Sequence, residues 1–441
     1  MMPIPKKTDR IAVFGLGRSS LAVLRYARQE GIEAFAYDGR PEAETALQAA
    51  GLSDVPFFLG EDYRKMPRAD FLFRAPALRP DHPVLSFHRE GGGVLTDEIS
   101  LFAALCPAKI LAVTGSDGKS TTATLIYEAL RLAGERAYLG GNIGRSLLPY
   151  LSEMRDTDFA VLELSSFQLM TASLSAEGGV ITNLSPNHLN WHTDMAEYAA
   201  AKARLFECCR EMTVRKGLFP EREALRFSID AFSGKEKDAP LHMENGLLYD
   251  EETPLFHERD MRLCGRFHLE NLLAAAGATR PFVPRPLFSR LAREFRGLPH
   301  RLEYLGTYLG HAFYNSSIDT SPLRTLQSLS ALKEKGLAFT VLLGGAQKGL
   351  SLSPLVEALP SLAASAVLFG ESREGLRLAL TSRLPLATAE DLKGAVVEAL
   401  ALTEGTKQAI VLSPAFTAFD AFRDYEARGE AFRQIFADLS K

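Results

Sequence analysis

Ile110-Leu-Ala-Val-Thr-Gly-Ser-Asp-Gly-Lys-Ser-Thr121 runs an apolar, strand-like stretch into a glycine-rich turn, and the helical run Thr122 to Leu132 follows at once. In that order, backbone N–H groups and a helix N-terminus converge on phosphate oxygens. Gly115, Ser116, Asp117, Gly118, Lys119, Ser120 and Thr121 are therefore the candidate phosphate-binding residues. Lys119 would neutralise terminal phosphates, and Ser120 is placed to offer a hydroxyl to Mg2+. Gly115 lies only three residues before Gly118, so the usual Walker spacing is shortened and the assignment rests on strand, turn and helix standing in sequence. A glycine turn that merely caps a helix is the alternative.

Toward the N-terminus, Ile11-Ala-Val-Phe14, a glycine turn, an amphipathic stretch carrying Leu21, Leu24 and Ala27, and Ala34-Phe-Ala-Tyr37 read as a βαβ unit ending at Asp38. Gly15-Leu-Gly17-Arg-Ser-Ser20 resembles a dinucleotide fingerprint, with Asp38 about where an acid meets a ribose. Ser20 occupies the third glycine position, and a dehydrogenase has no need of a separate phosphate loop, so a different nucleotide-like diphosphate is the expected ligand. A tight turn beside a solvated Asp38 is the other reading. Apolar runs recur at Phe71–Phe73 and Val94-Leu95 before a first boundary at Cys106-Pro107.

Toward the C-terminus, Phe159-Ala-Val-Leu162 puts Glu163 at the end of a strand, on the side where an α/β sheet presents its ligands. A carboxylate there can hold Mg2+ or simply be solvated. The loop Thr182 to His192, after the strand Gly179-Val-Ile-Thr182, carries two histidines and the only Trp. His188 is a candidate ligand for a second Mg2+, or a hydrogen-bonding loop histidine. Helical segments Glu197 to Phe206 and Leu269 to Gly277 and a Pro-rich stretch Pro281–Pro286 lead to a second boundary near Gly297-Leu-Pro299. Beyond it, Ala338 to Leu343, Ala366 to Phe369 and Ala409 to Leu412 alternate with helical stretches, the pattern of another doubly wound domain. The expected fold is α/β in three domains: Rossmann-like over 1–107, P-loop ATPase-like over 108–297, and Rossmann-like over 298–441.

The 441 residues are enough for about three domains of ordinary size. At 46% apolar and 24% charged, the composition excludes collagen-like, disulfide-scaffold and wholly disordered chains. A net charge of -4 gives no field to hold a polyanion, so nucleic acid is not an expected partner. Cys106, Cys208, Cys209 and Cys264 show no C-x-x-C spacing, which fits a reducing compartment better than a zinc site or disulfides. No stretch reaches the roughly 20 apolar residues of a membrane span, and none at the N-terminus has the make-up of a signal peptide. A cytoplasmic protein with no membrane partner is expected.

An ordered series of motifs covers nearly the whole chain: Gly15-Leu-Gly17, Thr114 to Ser120, Gly140-Gly-Asn-Ile-Gly144, Leu162-Glu-Leu-Ser-Ser-Phe-Gln168, Asn187-His-Leu189, Tyr198 with Lys202, Pro299-His-Arg-Leu-Glu303, Gly344-Gly345 with Lys348, and Ser413-Pro-Ala415 with Phe419-Asp420. This series resembles the Mur ligase family. The resemblance implies an ATP-dependent ligase joining D-glutamate to UDP-N-acetylmuramoyl-L-alanine through an acyl phosphate, in peptidoglycan precursor synthesis, with a monomer as the expected state. It implies ATP and two Mg2+ ions, with Lys119, Glu163, His188 and Lys202 catalytic, Lys202 carbamylated, and Ser120, Glu163, His188 and Lys202 serving the metal. Asn271 would lie on the adenine side and Arg301 would reach ATP phosphate. Gly17, Ser19, Asp38, Arg40, Asn142 and His188 would serve the UDP-sugar; Thr320, Lys348 and Thr417 would serve D-glutamate. Read alone, Lys202 is a solvated helix lysine.

Some positions depart from the family pattern. His268 stands for a usual Asn, Ser316 for an Asp, Ile318 for a Lys, Asn187 for a frequent Asp, and Ala418 for a common Ser next to Thr417. A sister ligase with another amino acid or a folate acceptor is one rival reading. A non-catalytic nucleotide-binding partner protein, suggested by Ser316, Ile318 and His268, is the other.

Overall fold

The computed structural model describes residues 3–189, 191–228, 239–263, 265–347 and 350–439. Lys348 and Cys264, both singled out above, lie outside the described residues. The chain builds three sheets. The first is wholly parallel, with β1 (Arg10–Phe14), β2 (Glu33–Asp38), β3 (Phe57–Leu59), β4 (Phe71–Arg74) and β5 (Val94–Thr96) in the order β3-β2-β1-β4-β5.

The second sheet contains β6 (Lys109–Thr114), β7 (Ala137–Gly141), β8 (Phe159–Glu163), β9 (Ala176–Ile181), β10 (Cys209–Arg215), β11 (Leu225–Ser228), β12 (Leu241–Glu244), β13 (Leu247–Asp250) and β14 (Thr253–His257). Their order is β14-β13-β12-β11-β10-β9-β6-β8-β7, parallel except where β12, β13 and β14 pair antiparallel. The third sheet orders β15 (Glu303–Tyr308), β16 (His311–Asn315), β17 (Phe339–Gly344), β18 (Ser365–Phe369), β19 (Leu386–Thr388) and β20 (Ala409–Leu412) as β15-β16-β20-β17-β18-β19. Only β15 runs antiparallel to its neighbour there.

The central strands read as unbroken apolar runs because helices cover both faces of a parallel sheet. Ile110, Leu111, Ala112 and Val113 of β6 are all buried, as are Ala160, Val161 and Leu162 of β8. Strand β6 lies between β9 and β8, so the turns after β6, β7, β8 and β9 open along one edge of the sheet. The helix Lys119–Leu132 leaves β6 with Leu125, Ile126, Ala129 and Leu130 buried.

By compactness the chain divides into two units, Met1–Glu258 with Glu270–Leu291, and Arg259–Leu269 with Ala292–Lys441. The first unit holds two sheets, and one apolar core runs through both, from Ile11, Val13 and Leu24 through Leu101 and Phe102 to Leu147 and Leu162. A buried Arg74 reinforces the join. Its Nε donates to Thr171 Oγ1 at 2.9 Å and its Nη1 to the Leu78 carbonyl at 2.7 Å, while Nη2 donates to the Phe167 carbonyl.

In the second unit, Leu329, Leu332, Leu355, Leu359, Leu376 and Leu380 cover one face of the sheet, and Leu392, Val396 and Phe432 cover the other. Strand β20 leads to the second face while its neighbours β16 and β17 lead to the first, so their loops part and leave a crevice at the strand ends.

Two expectations are revised in detail. The helix expected over Glu197 to Phe206 is interrupted at Arg204, giving Met195–Ala203 and Leu205–Cys208. The antiparallel β12–β14 ribbon was not anticipated, although Asn245-Gly246, both at positive φ (49° and 77°), joins β12 to β13 as a two-residue hairpin turn.

Candidate active site

The turn after β6 is shaped by two glycines that no other residue replaces. At Gly115 (φ 147°) a Cβ would sit 1.9 Å from Thr182 Oγ1, and at Gly118 (φ 76°) 2.3 Å from Asn271 Oδ1. Ser116 Oγ is held by the Ser185 N–H (2.9 Å) and Tyr198 hydroxyl (2.9 Å), while the Asp117 N–H donates to Asn183 Oδ1 at 2.8 Å. Lys119 Nζ folds back to donate to the Ser116 carbonyl at 2.8 Å, and Ser120 and Thr121 begin the helix. Asn271 accepts from Thr122 Oγ1 at 3.3 Å, which brings it against the turn. The expected phosphate-binding residues thus form one continuous turn at a helix N-terminus, with the Ser116 and Asp117 N–H groups both donated to Asn183.

Lys202 is the largest surprise relative to its sequence context. It is 1% exposed, and its Nζ donates to the Gly115 carbonyl at 2.7 Å over the Tyr198 ring. Burial, reinforced by Lys119, pulls its pKa down from 10.5 to about 7, against the opposing pull of Asp117 and Glu163. The solvated-lysine reading fails. Glu163 is also buried rather than solvated: Oε1 accepts from Asn142 Nδ2 at 2.7 Å, whereas Oε2 has no hydrogen-bond partner among the described residues. A buried carboxylate oxygen left unpaired is costly unless a cation meets it. His188 is exposed at φ 56°, and partial desolvation with the nearby Lys119 and Lys202 charges holds its pKa below the ordinary value. Among the described residues no group of three His, Cys, Asp or Glu side chains could hold a metal ion. The expected set draws only Glu163 and His188 from those types, and needs Ser120 and a modified Lys202 besides.

The His188 loop is anchored by a network that the sequence did not disclose. His188 O accepts from the Trp191 and His192 N–H groups. The His192 ring, side chain fully buried, bridges Ser166 Oγ (2.9 Å) and Glu197 Oε2 (3.1 Å). Arg79 grips Glu197 with both Nη atoms and drives its pKa down to about 2. Two histidines and the Trp in one short loop were the available signal, but only packing distinguishes the anchor from the exposed ring.

At the first sheet, Gly15 (φ 82°) would place a Cβ 2.8 Å from Ala75 Cβ, whereas nothing lies within 4 Å of a Cβ at Gly17, the residue before helix Arg18–Glu30. Ser19 sits in the first turn of that helix. Asp38 is 4% exposed, so it is not the solvated acid of the second reading. Its carboxylate accepts the Leu16 N–H at 2.7 Å and the Arg40 guanidinium through Nε and Nη2, both at 3.0 Å, and these bonds hold its pKa below the ordinary value despite burial. Asp38 therefore ties the glycine turn to Arg40.

In the second unit, Thr320 lines a small cleft with Gln347, Leu350 and Phe416 at the crevice. Thr417 is 4% exposed and its hydroxyl donates to the Ala346 carbonyl at 2.9 Å. Arg301 is half-buried in the turn between His300 and Leu302, both at positive φ. Burial, with Arg301 and Lys335 nearby, pulls the His268 pKa down to about 3, so that ring is neutral.

The Mur ligase middle domain family matches residues 113–279. The chain belongs to the Mur ligase family. It is similar along its whole length to the UDP-N-acetylmuramoylalanine–D-glutamate ligase of Ruminiclostridium cellulolyticum, at 33% identity over 455 residues, 98% of this chain and 97% of that one. With the enzyme of the same name from Acetivibrio thermocellus the identity is 34% over 461 residues, 97% and 96% of the two chains. Two solved structures share the fold: UDP-N-acetylmuramate-alanine ligase from Thermotoga maritima (TM-score 0.59, 17% identity, 98% and 100% of the two chains) and MurF from Acinetobacter baumannii (0.57, 13%, 99% and 92%). Among the described residues no helix is long and apolar enough to cross a membrane.

Proposed function

We propose that this protein is an ATP-dependent ligase that joins D-glutamate to UDP-N-acetylmuramoyl-L-alanine for peptidoglycan precursor synthesis, and that it works as a cytoplasmic monomer. The observation that carries the reading is the buried Glu163 oxygen with no partner among the described residues, set with Lys119 and a near-neutral Lys202 around the turn after β6. A carboxylate cannot be attacked by an amine until its poor oxide leaving group is replaced. One substrate carboxylate oxygen bonds to the γ-phosphorus as the bond to ADP breaks. The D-glutamate amine then forms the C–N bond, loses a proton, and inorganic phosphate departs.

Catalysis here is chiefly positioning and charge neutralisation. Gly115 to Thr121 cradle the phosphates, Lys119 swings from the Ser116 carbonyl to the terminal phosphates, Asn271 lies on the adenine side, and Arg301 adds its fork of donors. Ser120, Glu163, His188 and Lys202, the last as a carbamate, would hold two Mg2+ ions, which supply neutralisation of phosphate charge. A neutral lysine amine is what carbamylation requires, and burial supplies it. Gly17, Ser19, Asp38, Arg40, Asn142 and His188 serve the UDP-sugar; for Asp38 and Asn142 the hydrogen bonds to Arg40 and Glu163 make the contribution one of orientation. Thr320, Lys348 and Thr417 serve D-glutamate. The corresponding domains are 1–107, 108–297 and 298–441.

Phosphate release by the purified protein tests this. It should require ATP, UDP-N-acetylmuramoyl-L-alanine and D-glutamate together. Release with another amino acid in place of D-glutamate would favour a sister ligase, and none with any acceptor would favour a binding protein.

A further inference from the structure

We propose that Arg428 is a positioning residue for the amino-acid substrate, its guanidinium tying together the three loops that build the crevice at the strand ends of the third sheet. The inference rests on the ligase reading above. Arg428 lies on the helix Tyr425–Leu439 and is fully buried. Its Nη1 donates to the carbonyls of Gly344 (3.3 Å) and Thr417 (3.1 Å), and its Nη2 to those of Ser317 (3.1 Å) and Phe416 (2.9 Å). Gly344 ends β17, Ser317 follows β16, and Phe416 and Thr417 follow β20. These are the strands whose loops part at the crevice, and Thr320 and Phe416 line the cleft there.

Burying an ion is costly, and apolar side chains of similar volume would hold the helix on the sheet at least as well. What they would not do is fix the carbonyl directions of three separate loops at once. A planar fork of donors does this; a lysine, with one point of charge, does not. The backbone is shaped to admit the fork. A Cβ at Gly345 (φ 135°) would lie 2.1 Å from the Thr417 carbonyl and 3.0 Å from Arg428 Nη1, and one at Gly429 would lie 2.1 Å from His300 Nδ1 and 2.3 Å from Ser317 Oγ. Burial lowers the Arg428 pKa to about 10, with Asp420 and Asp319 opposing, so the group stays charged near neutrality. No carboxylate bonds directly to it among these contacts; Asp319 and Asp420 nearby offset its charge, so its contribution is to the geometry of the loops.

Steady-state kinetics on the full chain test this with Arg428→Lys and Arg428→Gln. Both should raise the KM for D-glutamate by about tenfold or more, with the KM values for ATP and the UDP-sugar within about twofold of wild type. A merely structural role would instead lower the active fraction and kcat while leaving all three KM values alone, or would be rescued by Arg428→Lys; either result overturns the assignment. Should those variants fail to fold, Gly429→Ala retains the guanidinium but forces Ser317 and His300 away, and it should raise the D-glutamate KM by a larger factor than the ATP KM. An unchanged D-glutamate KM in that variant overturns the assignment as well. Wild-type protein that does not turn over D-glutamate at all would refute the ligase reading itself, a result recognisable before any variant is made.

Discussion

Lys119 and Lys202 sit within one electrostatic neighbourhood, yet the proposed mechanism asks opposite things of their charge. Lys119 must keep its proton to meet phosphate, and Lys119→Ala should abolish ATP turnover while leaving UDP-sugar binding largely intact, since the glycine turn at Gly15–Gly17 lies on another sheet. Isothermal calorimetry with each nucleotide separates the two; equal loss of both would refute the division of labour. Lys202 must lose its proton. Between about pH 7 and 10.5 the unfolded chain holds a proton on this amine that the folded chain lacks, so the residue's contribution to stability rises with pH across that interval. In carbon dioxide-free buffer, the melting-temperature advantage of Lys202→Met over wild type should shrink from pH 7 toward pH 10, and a pH-independent difference would contradict a depressed pKa. In Lys202→Ala, which should be inactive, short carboxylic acids should restore part of the activity by supplying the missing anion. The role of Lys202 was expected only through the family resemblance; its burial was not legible from Tyr198-Ala-Ala-Ala-Lys202, because burial of a helix lysine depends on what the fold lays over it, here the Gly115 turn.

At the level of the element, the two glycine turns make opposite demands. Gly118→Ala places a methyl group at φ 76° and 2.3 Å from Asn271 Oδ1, so it strains the backbone by about 1 to 2 kcal/mol and displaces a neighbour. It should lower both thermal stability and ATP affinity. Gly17→Ala meets open space at a negative φ and should leave the melting temperature within about a degree or two while weakening the UDP-sugar, because the new methyl group occupies the room a diphosphate needs. Scanning calorimetry and nucleotide titration on the pair check both. The parallel strands were legible because they are buried on both faces and so are apolar throughout, as in Ile110 to Val113. Strand β10, Cys-Arg-Glu-Met-Thr-Val-Arg over 209–215, carries exposed Arg210 and Glu211 after a half-buried Cys209 and lacks that signature. The Asn245-Gly246 turn carried a recognisable hairpin signal, whereas the role of Arg428 had none, since its partners are backbone carbonyls more than ten residues away in sequence.

For the whole molecule, three sheets but two compact units imply a particular unfolding behaviour. The core shared by the first two sheets and the buried Arg74 couple them, so heating should give two calorimetric transitions rather than three. A non-hydrolysable ATP analogue at a hundredfold excess over its Kd should stabilise the first unit by about 2.7 kcal/mol. Three resolved transitions would show that the sheets of the first unit melt independently. The borders of the sheets carry a consequence of another kind. The outermost strands β3, β5 and β19 are three residues long, β14 contains Pro254, and β15 is broken by a bulge between Tyr304 and Gly306. Short, proline-bearing or bulged borders offer another chain few unpaired backbone groups in register. Strand-to-strand recruitment is thereby disfavoured at five of the six borders, and the sixth, β7, with five residues and neither proline nor bulge, is the border at which one copy's sheet would first extend into another's.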